Sequence, residues 1–452
     1  MTEDLIDRLS TADGIRVRSR GVVARFLRAE VDPRDIGRDL DVQVVVDGTL
    51  RRTPTGVRLS LRVISVADGV QIWHKRFERR PEDMLDLSDE AAAAIATALA
   101  VEIEATERAV TSAEAVELYL RARALYFRFF ADMGTEAMRL FERARALAPD
   151  DPRILAGYAM TAARRWAQDP SQAESAREAA AAAVARAENL PESHVASAVI
   201  RYHDRRIPDA VRSLKRALSL ARTNAEAHDL LGRILSETRL LAESRSHLEA
   251  ALLSEPTTQL ARLMLARVHM LQGDWDKAYS FIGNTVSLDP AALPGLARYC
   301  LWRRDDTRAR ALLSRIDEQN PDLKHRLRIT RMMLEAVSLR RPPWAEVDAE
   351  GLAEMNPRFV TFAFQVMTEI AVYCDDPDRA LSFLDRADLM GLFDLAWMDA
   401  CPLLTPLRSA PRFQSIRAHV EARAAAVEAA YLEPIETVTG PTPPRRLDIS
   451  SP

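Results

Sequence analysis

Short acidic clusters are the side chains of this 452-residue sequence that come nearest to catalytic or metal-binding chemistry. They are Glu82-Asp83, Asp89-Glu90, Asp305-Asp306, and Asp375-Asp376 with Asp378. Paired carboxylates can transfer protons or bind cations. Acidic residues are also favoured at helix starts by the helix dipole, and solvated acids are common at turns between helices. We therefore interpret these clusters as structural, and the sequence predicts no catalytic residue, cofactor site or metal site.

The spacing of glycine and histidine excludes several enzyme classes. Gly14 and Gly21, the two closest of the 15 glycines, stand seven positions apart. The dinucleotide-binding, P-loop and nucleophile-elbow motifs all need glycines at most about five positions apart. The eight histidines form no H-x-x-x-H pair of zinc ligands. The readable signatures of these nucleotide-binding proteins, of α/β-hydrolases and of zincin proteases are therefore absent.

Cysteine usage and the hydropathy pattern predict a cytoplasmic protein. Cys300, Cys374 and Cys401 are odd in number and widely spaced, which favours reduced thiols over a disulfide framework. The first residues do not form a charged and then apolar secretory leader. The longest apolar stretch, Ala91 to Val101, is far shorter than the ~18 residues typical of a membrane span. The sequence thus predicts no membrane segment.

The charge balance gives little support for nucleic-acid binding. The chain has 62 Lys and Arg against 66 Asp and Glu, so its formal net charge is −4. One stretch, Trp73 to Phe77, mixes aromatic and basic residues as single-strand binders do, with Arg16, Arg18 and Arg20 nearby. Residues 1–108 nevertheless carry more acidic than basic side chains. We interpret Trp73 as a core residue and consider a nucleic-acid partner the weaker hypothesis.

Residues 1–108 predict a small α/β domain. Leu5, Ile6 and Leu9 form one helix face, and Ile15 to Arg18 alternates like a strand. Asp32 followed by Pro33 is typical of a helix start. Ser88 is a candidate cap for a later helix.

Three strands lie between these helices in the predicted order. They cover Val42 to Thr53, Val57 to Val63, and Val70 to Phe77. Turns separate them, so we expect a three-stranded antiparallel meander. Because Val44 to Val46 are apolar on both faces, the first strand is predicted to be interior.

Residues 112–427 predict an all-α repeat region. Comparable helices are expected to end at residues separated by 42, 31, 34, 34, 31 and 36 positions: Pro149, Pro191, Arg222, Pro256, Pro290, Pro321 and Pro357. A period near 34 is that of the tetratricopeptide repeat, which stacks antiparallel helix pairs into a superhelical solenoid with a groove. The best unit runs from Thr257 to Pro290, with Ala278 where its helices cross. Residues 433–452 are predicted to be disordered.

The inner face of the repeats is the candidate partner-binding groove. Its predicted residues are Arg153, Met160, Arg164, Tyr202, Arg205, Arg206, Asp229, Arg233, Leu263, Arg267 and Met270. Arginines with scattered apolar residues could bind an acidic peptide or a C-terminal carboxylate by bidentate contacts. The abundance of arginine throughout the chain, and the nearby Glu226 and Glu237, leave the acidic preference open.

Residues 3–104 resemble the amino-terminal domain of TolB-like proteins that precedes tetratricopeptide repeats in bacterial signalling chains. The matching pieces are Glu3 to Ile6, Ile15 to Arg20, Asp32 to Leu40, Val45 to Arg52, Val57 to Arg62, Ala67 to Gly69, Ile72-Trp73 and Arg76-Phe77. Pro402 to Phe413 is similar to the closing segment of such arrays. The family's opening apolar strand is missing here, so we expect an exposed sheet edge that favours self-association.

The resemblance implies a regulatory interaction module and carries over no catalytic residue. The sequence therefore predicts a non-enzymatic scaffold that binds a protein or peptide through the groove. A second hypothesis is that the chain is the C-terminal sensory portion of a nucleotide cyclase, Ser/Thr kinase or winged-helix transcription regulator whose effector lies elsewhere. A third, a hydrolase built from scattered residues, would need a pocket lined by perturbed carboxylates.

Overall fold

The computed structural model describes most of the chain. Described residues are 2–10, 17–26, 31–40, 42–54, 56–66, 69, 71–99, 112–128, 135–166, 169–255, 258–282, 293–314, 324–340, 344 and 356–435. The tail expected to be disordered lies outside the described residues from position 436 onward, as does the start of the expected strand at Ile15.

A three-stranded antiparallel sheet forms the centre of the amino-terminal domain. Its strands are β1 (Val44–Thr53), β2 (Gly56–Ser65) and β3 (Gln71–Arg79), in the order β1-β2-β3. The predicted meander is confirmed. The predicted interior position of the first strand is wrong: β2 is central, and β1 pairs only with β2 among the described residues. Val46 and Leu50 on β1 are consequently 37% and 44% exposed.

Helices accompany this sheet, and two of them cover one of its faces. The domain contains α1 (Thr2–Ser10), α2 (Arg20–Val23), α3 (Pro33–Asp39) and α4 (Met84–Ala98), of which α1 and α4 share a core with the sheet. Leu5 and Leu9 of α1 pack with Leu61 of β2 and Ile95 of α4 in one core, which confirms the predicted first helix face.

The sequence predicts the N-terminal cap of α3 correctly but not the start of α4. Asp32 caps α3 by accepting a hydrogen bond of 2.9 Å from the Arg34 backbone N–H, as predicted. Ser88 is not a cap, because a 3₁₀ turn at Pro81–Asp83 starts the helix earlier and leaves Ser88 buried within α4.

Pairs of helices make up the rest of the described chain. The pairs are α5 (Ala113–Arg128) and α6 (Thr135–Leu147); α7 (Pro152–Trp166) and α8 (Ala173–Arg186); α9 (Pro191–His203) and α10 (Ile207–Leu220); α11 (Ala225–Leu235) and α12 (Leu241–Ser254); α13 (Gln259–Leu271) and α14 (Trp275–Ile282); and α15 (Leu293–Trp302) and α16 (Asp306–Leu313). Helix α17 (Lys324–Leu339) follows. The first helices contact one another, α7 with α9 and α11 with α13, so they form the inner layer of an α-solenoid.

Small residues set the close approach within each pair. A Cβ atom added at Gly232 in α11 would lie 2.7 Å from Leu248 Cγ in α12, so no larger residue fits there. Ala278 in α14 is fully buried, as its predicted crossing position requires. Two of the prolines expected to end helices instead begin them: Pro191 and Pro357 occupy the first turns of their helices, where a missing N–H costs nothing.

The C-terminal segment, residues 356–435, folds back onto the middle helix pairs. It contains α18 (Pro357–Tyr373), α19 (Pro377–Leu389), α20 (Leu395–Ala400), a 3₁₀ turn (Pro402–Leu407) and α21 (Pro411–Leu432). Helix α21 packs against α10 as well as α19. Val427 and Ala430 of α21 share a buried core with Leu214 of α10. No helix within the described ranges has the length and apolar character needed to cross a bilayer.

Candidate functional site

The part of the predicted groove on α13 is buried. Leu263 and Met270 lie in the hydrophobic core shared with α15 and the C-terminal segment. Arg267 is 3% exposed: its Nη2 donates to both carboxylate oxygens of Asp394, at 2.6 and 2.8 Å, and its Nη1 donates to the Ser236 carbonyl at 2.7 Å. Arg267 therefore does not project into an open groove, because Asp394 of the C-terminal segment neutralises it inside the core.

The last turn of α9 is also covered by the C-terminal segment. The Nε of Arg358 donates a 3.0 Å hydrogen bond to the Tyr202 hydroxyl, and the same guanidinium pairs with Glu237. The Asn356 side-chain oxygen accepts a 2.9 Å hydrogen bond from His203 Nδ1, and burial lowers the pKa of that histidine to about 4. Tyr202 is thus engaged within the chain.

Four further residues of the predicted groove lie in a turn or form ion pairs with nearby residues. Arg205 and Arg206 lie in the turn after α9, which ends at His203, so they are not on the inner helix face. Arg206 pairs with Asp209 at 2.7 Å. On α11, Arg233 lies one turn after Asp229 and pairs with it at 3.2 Å.

The C-terminal segment contributes buried polar residues that the groove prediction missed. Glu369 in α18 is fully buried and accepts hydrogen bonds from the Arg298 guanidinium at 2.7 and 2.8 Å and from Trp397 Nε1 at 2.5 Å. A glutamate in the middle of the apolar run Phe362 to Tyr373 was the available signal, because a charge in such a run needs a buried partner.

The remaining groove residues lie at a cleft between the amino-terminal domain and the first helix pairs. This junction cleft is a cavity of about 100 Å³ bordered by α1, α4, α5, α7 and the start of α9. Arg153 and Met160 of α7 line it. Arg164 lies beside it, with its guanidinium 3.7 Å from the Tyr126 ring centre and 3.0 Å from Glu226.

Ion pairs hold the two parts of the chain together across this cleft. Arg123 of α5 pairs with Asp4 at 2.6 Å and also with Asp7, both on α1. Arg153 of α7 pairs with Asp89 of α4 at 2.8 Å. Burial acts to raise the pKa of Asp4, but the nearby positive charges, with Arg123 the strongest of them, together outweigh it and the pKa falls to about 2. Asp89, a member of one acidic cluster, therefore links α4 to α7.

Glu192 is the exception among the charged residues of the cleft. It lies in the first turn of α9, and its shortest ion-pair distance to Arg123 is 4.0 Å. Burial, together with the negative charges of Asp7 and Glu226, raises its pKa to about 7. The cleft thus contains one weakly paired carboxyl group next to several fully paired ones. No group of three or more metal-ligating side chains is found in the described part of the chain.

Comparisons with known proteins give partial likenesses. No family model matches the chain. A protein of Rhizobium meliloti (strain 1021) named adenylate cyclase 3 is 30% identical over 165 residues, which cover 35% of this chain and 28% of that protein. The chain therefore spans less than a third of that relative's length.

Solved structures of repeat proteins are similar in outline. A tetratricopeptide repeat protein from Parabacteroides merdae is 11% identical with a TM-score of 0.34, over 68% of this chain and 99% of that one. Yeast Tom70 is 15% identical with a TM-score of 0.34, over 70% and 69%.

Proposed function

We propose that this protein is a non-enzymatic scaffold that binds a protein partner at the junction cleft. One observation carries the proposal: the C-terminal segment engages Tyr202 and Arg267, whereas Arg153 and Met160 border an open cavity. Clefts between two packed units are common binding sites, because both units supply side chains. The proposed partner surface is therefore narrower than the groove expected along the whole solenoid.

The architecture supports an interaction role. Stacked helix pairs present an extended inner surface without a preformed catalytic constellation. The arginines around the cleft already pair with carboxylates of α1 and α4, so we do not propose an acidic peptide as the ligand. We retain a cytoplasmic location, self-association through β1 and the TolB-like resemblance as predictions.

Blocking the mouth of the cleft tests this proposal. Asn189 is exposed and lines the cavity, so Asn189→Trp should obstruct it without disturbing the core. Glu188→Trp changes the neighbouring exposed residue and serves as the matched control. Affinity capture with the full chain should recover a partner with wild-type and Glu188→Trp protein and lose it with Asn189→Trp. Equal recovery with both variants would show that the partner binds elsewhere.

A second candidate function is supported by the curated relative. The stretch of 30% identity to the cyclase-named protein favours a regulatory portion attached to a nucleotide cyclase. The reading frame upstream of Met1 in the source genome tests this candidate. An open frame encoding a cyclase domain supports it, and an in-frame stop codon excludes a single continuous chain.

A further inference from the structure

The apolar wall of the junction cleft restricts what can enter it. Tyr119 and Tyr126 of α5, Phe141 of α6 and Met160 of α7 form much of this wall. A Cβ atom added at Gly157 would lie 2.5 Å from Phe141 Cε1, so this glycine leaves room for the ring. The wall suits a short methylene chain, which gains by leaving water but needs a partner for any charge at its tip.

The charged groups of the cleft divide into paired and weakly paired ones. Arg8 pairs with Asp89 at 2.6 Å, and Arg153 pairs with the same carboxylate at 2.8 Å and with Asp86 at 3.9 Å. Arg123 pairs with Asp4 at 2.6 Å and also with Asp7. These guanidinium groups are already neutralised and have little to gain from an anionic ligand. An arriving anion would compete with carboxylates held in place by the fold.

Glu192 is placed to receive a cation. Its side chain is 28% exposed, and Arg123 Nη2 is 4.0 Å from its carboxylate, too far for a hydrogen bond. Burial is the main cause of its raised pKa, the negative charges of Asp7 and Glu226 add to it, and the positive charge of Arg123 offsets this only in part. A positive group bound beside it would remove that penalty, because an opposite charge favours the ionised carboxylate.

We propose that the junction cleft binds a primary ammonium group on an alkyl stem, namely a lysine side chain of the partner, with Glu192 as its counter-charge. The stem lies along the tyrosine and methionine wall, and the ammonium group donates hydrogen bonds to the Glu192 carboxylate. This inference rests on the proposed function, since it names the group of the partner that enters the same cleft. The charge of this group is opposite to that of the acidic peptide, a ligand that the sequence leaves open.

Titration calorimetry with the full chain tests this assignment using n-pentylamine as the probe. Wild-type protein should give saturable binding, and 1-pentanol, which lacks the charge, should give none. Glu192→Gln keeps the side-chain volume but removes the counter-charge, so its affinity for n-pentylamine should fall by at least about tenfold. Glu188→Gln, which alters an exposed carboxylate next to the cleft, should bind as wild-type does.

Two results would overturn the assignment. One is the absence of saturable n-pentylamine binding to the wild-type chain, and the other is equal affinity in wild-type and Glu192→Gln protein. Both calorimetry results can be obtained without the partner. The capture experiment with Asn189→Trp, in turn, does not involve Glu192. If Asn189→Trp loses the partner and either overturning result is found, the lysine assignment fails and the scaffold proposal stands.

Discussion

Asp394 offers the most direct perturbation of the buried charges that join the C-terminal segment to the repeats. It is 3% exposed and accepts two hydrogen bonds from Arg267, one of 2.9 Å from Gln365, and one of 3.1 Å from the Trp397 backbone N–H at the start of α20. Asp394→Ala removes all four at once. It leaves the Arg267 guanidinium inside the core with the Ser236 carbonyl and hydroxyl as its remaining acceptors among the described residues.

The uncompensated charge of Arg267 sets the size of the expected loss of stability. Removing one partner of a buried ion pair costs about 3–5 kcal/mol, because the remaining charge stays desolvated. Loss of the N-terminal cap of α20 alone costs about 1 kcal/mol. This cost is not added to the cost of the broken ion pair, because the same carboxylate makes both contacts. We therefore expect Asp394→Ala to lower the free energy of unfolding by about 3–5 kcal/mol.

Urea unfolding followed by far-ultraviolet circular dichroism and by tryptophan fluorescence measures this loss. Asp399→Ala is the matched control, since Asp399 pairs with Arg417 at the surface, is 41% exposed, and should cost at most about 1 kcal/mol. Arg267→Met combined with Asp394→Leu replaces the pair by apolar groups and should recover most of the stability. If the two single alanine variants lose the same stability, Arg267 is not held as a buried charge.

Three other perturbations test separate parts of the structure. Ala278→Leu should cost about 1–3 kcal/mol by overpacking, whereas Lys277→Leu on the exposed side should cost little; equal thermal shifts contradict the helix crossing. The pKa of Glu192 is raised to about 7, so the folded state loses stability as the pH rises through that value and the carboxyl ionises. Glu192→Gln should therefore raise the free energy of unfolding by up to about 3 kcal/mol near pH 8 and change it little near pH 4. An unchanged melting temperature at both pH values would contradict this pH dependence. Residues 1–108 alone should self-associate through β1, and Val46→Lys with Leu50→Lys should make them monomeric in sedimentation analysis; a monomeric wild-type fragment contradicts this.

Local features of the fold could be predicted because their causes are local. Asp32 and Pro33 start α3 through a cap and a fixed backbone angle that involve only neighbouring residues. Ala278 is small because the two helices of one repeat meet at it, and the repeat period places it there. The meander likewise follows from strands separated by short turns.

Features that depend on distant partners could not be predicted in the same way. Arg267 and Asp394 are 127 positions apart, and no periodicity connects them. Arg267 on an inner helix therefore has the same local pattern whether it faces a groove or a buried carboxylate. The edge position of β1 has a similar origin, because the apolar character of Val44 to Val46 does not specify how many strands pair with it.

The proposal that a partner binds at the junction cleft depends on the C-terminal segment being docked on the middle helix pairs. Arg239, before α12, pairs with Glu421 of α21, so cysteines at these two positions should be joined by a short bis-maleimide in a Cys374→Ser background. Mass spectrometry of the digested full chain detects the crosslinked peptide. Docking predicts a high crosslink yield. Val427→Asp places a charge on the buried face of α21, at a residue only 1% exposed, and should abolish the crosslink. An absent crosslink in the folded chain, or one unchanged by Val427→Asp, would contradict this docking.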